Sequence, residues 1–279
     1  MGNLLQIDKP LVTVNWLYQH KDATNLIILD GTIPKVTLKE SANNLDENQI
    51  KNARFFDIKK VFSIQDAPFP NTALTADNFE KEAQKLGINK DSCIVVYDDY
   101  GVYSSPRVWW LFKTFGFKNV AVLDGGLPEW QRNGFKVELY SDENYNPGNF
   151  EAHFNSELMT DFNGVNKFSK DANALIIDAR YANRFNCLVD EPRVGLRRGT
   201  IPNSKNLPYT NLLNGNTLKP KAELLIIIND LVEENKTLVF SCGSGITACI
   251  LALAASICDY KNLVVYDGSW TEYGDLVKN

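Results

Sequence analysis

Histidine is nearly absent from this chain, with only His20 and His153, and its five cysteines (93, 187, 242, 249 and 258) include no Cys-x-x-Cys pair. Without a zinc-like spacing of thiols and imidazoles, no metal site is expected. No Gly-x-Gly-x-x-Gly or Walker motif occurs, so no nucleotide cofactor is expected either. No apolar run approaches the length that spans a bilayer. The formal net charge of −5 argues against nucleic acid or an anionic membrane as the main partner. An odd number of cysteines suits a reducing compartment. The opening Met1-Gly2-Asn3-Leu4-Leu5-Gln6 has no signal-peptide core, and Gln6 stands where myristoylation wants Ser or Thr. A cytoplasmic location is the expectation, with a mitochondrial one as the alternative.

What is present is a duplication. At 279 residues the chain has room for two domains, each with its own core. Leu26-Ile27-Ile28-Leu29-Asp30 resembles Leu175-Ile176-Ile177-Asp178, and Cys93 to Asp99 resembles Lys236 to Cys242. Val120 to Gly126 resembles Leu263 to Ser269. One offset of 143 residues relates Asp99 to Cys242 and Asp124 to Asp267. The apolar runs are short, and they alternate with segments of helical period at 75–86, 105–115 and 221–234. That pattern predicts parallel strands covered on both faces, an α/β fold. The polar stretch 141–149 is the expected linker, which gives domains 1–150 and 151–279.

The second half carries the chemistry. Ser241-Cys242-Gly243-Ser244-Gly245-Ile246-Thr247-Ala248 lies between the apolar run Thr237 to Phe240 and the helix-like Ala248 to Ala255. A cysteine between a buried strand and a helix start meets unpaired backbone N–H groups and the positive end of a helix dipole, which favours a thiolate. The two glycines let the backbone curl so that its amides face the sulfur. In parallel sheets the ligand site lies beyond the carboxyl ends of the strands, where Cys242 falls. Cys93, Cys249 and Cys258 read as core residues, whereas Cys187 reads as exposed.

These residues, with Tyr103-Ser104-Ser105-Pro106-Arg107-Val108-Trp109-Trp110, Leu123-Asp124-Gly125-Gly126, Glu191-Pro192-Arg193 and Tyr266-Asp267-Gly268-Ser269-Trp270, resemble the tandem-rhodanese sulfurtransferases, 3-mercaptopyruvate branch. The resemblance covers nearly the whole chain. It implies two rhodanese-like domains, each a parallel sheet with helices on both faces. It also implies that only the second is catalytic, since the first carries Asp99 in place of the catalytic cysteine. Thiosulfate-using relatives place Arg and Lys after the cysteine; the neutral Gly243 and Ser244 imply 3-mercaptopyruvate as the small-molecule substrate. Arg184 and Arg193 would bind its carboxylate and keto oxygen, with Gly243, Gly245 and Ile246 lining the substrate site. Cys242 would carry a persulfide, and Ser244, Thr247 and Asp57 would complete the catalytic set. The sulfur would pass to cyanide or to a thiol such as thioredoxin or glutathione. The family's Ser-His-Asp arrangement is broken here, because Ala67 stands near the histidine's expected position and Thr200-Ile201-Pro202 replaces His-Ile-Pro.

Three other functions compete. A cysteine phosphatase needs arginine closing a Cys-x5-Arg loop, and the chain places the apolar Ala248 there. A thiosulfate sulfurtransferase and a non-catalytic sulfur-carrier or scaffold module remain as alternatives.

Overall fold

A computed structural model of the chain describes residues 4–36, 47–141, 144–232 and 236–277. Two residues of the expected linker, Asp142 and Glu143, and the end of the third expected helix, residues 233 and 234, lie outside them. The chain divides into two compact units. The first comprises Met1–Ile64, Ala73–Asn155 and Gly215–Thr217; the second comprises Gln65–Thr72, Ser156–Asn214 and Leu218–Asn279. The short segment Gln65–Thr72 therefore leaves the first half of the sequence to join the unit that carries Cys242.

Each unit holds a five-stranded sheet, and the two sheets have the same order. In the first, Leu11–Val12, Val120–Leu123, Cys93–Tyr97, Leu26–Asp30 and Arg54–Phe55 lie side by side, every pair parallel. In the second the order is Met159–Thr160, Leu263–Tyr266, Thr237–Ser241, Ala174–Asp178 and Ser204–Asn206, again all parallel.

Strand alternation explains why the runs are apolar throughout. Ile28, Val95, Ala121 and Leu123 pack with Val14 and Leu17 of the helix Val14–His20 and with Leu127 and Trp130 of the helix Gly126–Arg132. The intervening Ile27, Leu29, Ile94, Val96 and Val122 are equally buried. They turn to the opposite face, which the helix Ser105–Thr114 covers. In the second unit Ile176, Val239, Val264 and Tyr266 pack with Val165, Trp270 and Tyr273, while the helix Ala248–Ile257 covers the other face. Trp109 and Trp110 are core residues, each 1% exposed.

The helical periods translate closely. Thr75 caps Ala76–Lys85 by accepting the Asn78 N–H, and Ser105–Thr114 starts with proline in its first turn. Lys221–Asn229 ends earlier than its period, at Asp230.

Strand register corrects one expectation. Parallel pairing sets Asp30 opposite Tyr97 and Asp178 opposite Ser241. Tyr97 and Ser241 are thus equivalent, so Asp98, not Asp99, stands where Cys242 stands. The turns beyond agree: the Asp98 carbonyl accepts the Leu127 N–H at 3.2 Å, as the Cys242 carbonyl accepts the Trp270 N–H at 3.0 Å. The offset is 144 residues entering the loop and 143 at the next strand, because the first unit's loop is one residue longer. Sequence matching with a single offset absorbed that extra residue in the wrong place.

The Asp98 side chain fills its own loop. Its carboxylate accepts the N–H groups of Tyr100, Tyr103, Ser104 and Ser105 at 2.8–3.0 Å and the Ser105 hydroxyl at 2.6 Å. Asp98 is fully buried, so these five donors replace water. Asp98→Ala would leave them unpaired. Since hydrogen bonds to a charged group contribute roughly 1.5–3 kcal/mol each, the substitution should lower stability in urea unfolding by at least about 3 kcal/mol.

Candidate active site

The strand Thr237–Ser241 delivers Cys242 to the carboxyl edge of its sheet, and the helix Ala248–Ile257 begins six residues later with Thr247 as its N-cap. The cysteine is 2% exposed. The loop between them is held from outside. The first N–H groups of the helix Ser269–Leu276 take up its carbonyls: Trp270 donates to the Cys242 oxygen at 3.0 Å and Thr271 to the Gly243 oxygen at 2.9 Å. The Thr271 hydroxyl also donates to the Gly243 oxygen. Both carbonyls are thereby satisfied by the neighbouring helix. Gly245 sits at φ +78°, a conformation that glycine adopts without strain.

Ser269 supports the loop from beneath. Its buried hydroxyl accepts the N–H groups of Cys242 and Gly245, both at 3.1 Å, and lies 3.9 Å from the Cys242 sulfur. Its proton goes to the Tyr266 carbonyl at 2.9 Å. The residue holds φ +52°, unusual for a non-glycine. Its counterpart Gly126 has the same φ but no hydroxyl.

Two guanidinium groups converge on Gly243. A Cβ there would come within 3.2 Å of Arg184 Nη2 and 3.7 Å of Arg193 Nη1; the missing side chain leaves room for both cations. Arg184, from the short helix Ala182–Phe185, forms an ion pair with Glu191. Glu191 also pairs with Arg180 at 2.7 Å, and Arg180 with Asp178 at 2.7 Å. Glu191, Arg180 and Asp178 are buried. Burial pushes the Asp178 carboxyl up, partly offset by Arg180. Burial also works against the Arg180 charge, yet Asp178 and Glu191 hold that guanidinium above its usual range. Its charge stays fixed, and through Glu191 it steadies Arg184.

Arg193 reaches Ser244, donating from Nη2 to Oγ at 3.0 Å. The same oxygen accepts from Asn71 Nδ2 at 3.0 Å, and Asn71 Nδ2 also donates to the Ser244 carbonyl at 3.0 Å. Asn71 lies on the segment Gln65–Thr72, within the same compact unit. This corrects the focus on Ala67: the side chain from that stretch that meets Ser244 comes four residues later.

The structure thus gathers Cys242, Gly243, Ser244, Gly245, Arg184 and Arg193. Ile246 is buried beside them in the loop, and Thr247 is half-buried at the helix start. Asp57 belongs to the other unit, where its carboxylate accepts the N–H groups of Lys59 and Lys60 at 3.0 and 2.9 Å, capping a turn. Cys93, Cys249 and Cys258 are buried and Cys187 is exposed; burial pushes the Cys93 thiol up to about 12. Arg197 donates to the Gly274 and Val277 carbonyls and lies over the Trp270 ring. Among the described residues no group of His, Cys, Asp and Glu is placed to hold a metal ion.

Sequence reasoning missed Asn71, Glu191 and Ser269 as members of this site. Phe69-Pro70-Asn71 signals a turn, and Asn71 indeed holds φ +63°, but nothing local connects it to Ser244.

The rhodanese-like domain model matches residues 13–133 and again 163–276. The 3-mercaptopyruvate sulfurtransferase of Escherichia coli K12 is 38% identical over 266 residues, covering 94% of each chain. The thiosulfate/3-mercaptopyruvate sulfurtransferase 1 of Arabidopsis thaliana is 34% identical, covering 95% of this chain and 76% of its own. The crystal structure of SseA from Escherichia coli, a 3-mercaptopyruvate sulfotransferase, superposes with a TM-score of 0.82 at 35% identity, over 94% of this chain and 99% of that one. With two matched domains, two like-ordered parallel sheets and one cysteine-bearing loop, the chain belongs to the rhodanese-like family, among the tandem-domain sulfurtransferases.

Proposed function

We propose that this chain is a 3-mercaptopyruvate sulfurtransferase that carries sulfur as a persulfide on Cys242. The observation that carries the reading is the convergence of Arg184 and Arg193 on Gly243, next to a buried cysteine in a loop whose carbonyls are tied outward. Such a site suits a small substrate with one carboxylate, a carbonyl and a sulfur. The arginines take the oxygens, and planar guanidinium groups match a carboxylate in two-point contact. The Cys242 thiolate attacks the substrate sulfur, forming an S–S bond as the S–C bond breaks. The electron pair of that bond passes into the enolate of pyruvate, which takes its proton from water on release. The loop amides and the hydroxyls of Ser244 and Thr247 stabilise the charge that develops. A thiol acceptor, of the thioredoxin or glutathione kind, then attacks the outer sulfur and leaves Cys242 as the thiolate, completing a double displacement.

Mass spectrometry after treatment with mercaptopyruvate should find one added sulfur on the peptide that contains Cys242, and Cys242→Ser should abolish both the adduct and turnover. Retained turnover in that variant would reject the scheme. Initial rates should favour mercaptopyruvate over thiosulfate, because no cation follows Cys242 in the loop; the reverse preference would reassign the donor. Arg193→Ala should raise KM for mercaptopyruvate by about tenfold to a hundredfold, the loss of roughly 1.5–3 kcal/mol expected for a hydrogen bond to a carboxylate. An unchanged KM would remove Arg193 from the substrate site.

A further inference from the structure

We propose that Asn71 is a positioning residue that makes Ser244 a one-way hydrogen-bond donor to the substrate's carbonyl oxygen. The inference rests on the mercaptopyruvate reading above and assigns what does the work of the absent histidine.

The argument begins with donors and acceptors. Asn71 Nδ2 lies 3.0 Å from both the Ser244 carbonyl oxygen and Ser244 Oγ. A carbonyl oxygen only accepts, so the NH2 end of the amide must face it, which settles the amide's orientation. Arg193 Nη2 lies 3.0 Å from the same Oγ, and a guanidinium only donates. A hydroxyl has two lone pairs and one proton. Both lone pairs of Ser244 are taken by groups that cannot accept, so its proton is turned away from both. Ser244 is 6% exposed, and among the described residues its proton has no acceptor. It is kept for a ligand.

Chemistry fixes the direction. An amide takes up no proton near neutral pH, so Asn71 cannot act as the base that an imidazole would be. Two donors pulling on Oγ polarise the O–H bond and strengthen what it donates. As the S–C bond breaks, the substrate's carbonyl oxygen becomes the enolate oxygen, and a fixed donor there strengthens as the charge grows. No proton need leave Ser244. Asn71 is held for this task by its turn: it sits at φ +63° and is 9% exposed, a backbone conformation that asparagine tolerates better than most residues. Neither histidine can substitute, because each has its own local setting: His20 contacts the Trp16 carbonyl at 2.7 Å, and His153 is an exposed side chain beside Glu151.

The test is a double-mutant cycle on the full chain, with Asn71→Ala and Asn71→Asp made alone and with Ser244→Ala. Two quantities are read: steady-state kinetics with mercaptopyruvate, and the ratio of iodoacetate to iodoacetamide alkylation rates at Cys242. Asn71→Ala should lower kcat about tenfold, the loss of one oriented hydrogen bond, with KM changed less than about twofold. Asn71→Asp should be worse by about another tenfold, since a carboxylate accepts the Ser244 proton and draws it from the substrate. In the Ser244→Ala background both substitutions should lose most of their effect on both quantities.

A structural role alone predicts the opposite order, because Asp is nearly isosteric with Asn. An Asn71→Asp enzyme as active as the parent, or effects that are equal in both backgrounds, would overturn the proposal. Asn71→Asp also preserves the test should the truncation fail to fold. If the parent does not turn over mercaptopyruvate but the alkylation cycle keeps its coupling, the substrate assignment falls and the Asn71–Ser244 relation stands.

Discussion

The loop that carries Cys242 is built on two peptide carbonyls that are tied down. The carbonyls of Cys242 and Gly243 are held by the first N–H groups of the helix that follows the neighbouring strand. The groups involved would otherwise be orphans of a helix start and of a sharp turn, so each satisfies the other. Ser269 holds two of the loop's N–H groups in turn, those of Cys242 and Gly245. The first unit repeats the device with Leu127 and the Asp98 carbonyl.

The amides of such a loop need acceptors, and the two halves supply them differently. In the first unit the acceptor is permanent, a buried carboxylate with five donors. That loop has its acceptor built in. In the second unit the residue at the same place is the cysteine Cys242. There Ser269 takes over part of the holding task, at the cost of a left-handed backbone that Gly126 adopts freely.

The surrounding charges follow from the same demand for fixed geometry. Arg180, Glu191 and Asp178 form a buried chain of ions, an arrangement that is weak as a source of stability but strong as a source of orientation. Through Glu191 it holds Arg184 beside Gly243. Arg193 and Asn71 do the corresponding work on Ser244. Arg184, Arg193 and Asn71 all bring donor groups to the loop.

Local features were legible from the amino-acid order alone. Short apolar runs gave the strands because each is buried on both faces, and the Gly-rich stretch between Phe240 and Ala248 marked the loop because few other sequences allow that turn. The helix capped by Thr75, the helix beginning at Ser105 and the strand–loop–helix setting of Cys242 follow from such short-range patterns, and the duplication from their repetition. What the folded chain alone decided was pairing: the register that makes Asp98 rather than Asp99 the partner of Cys242, and the meeting of Asn71 with Ser244 across 173 positions. A run that is apolar at every position looks the same when shifted by one if a loop can absorb the difference. Hydrogen-bond direction, likewise, exists only once distant atoms have coordinates.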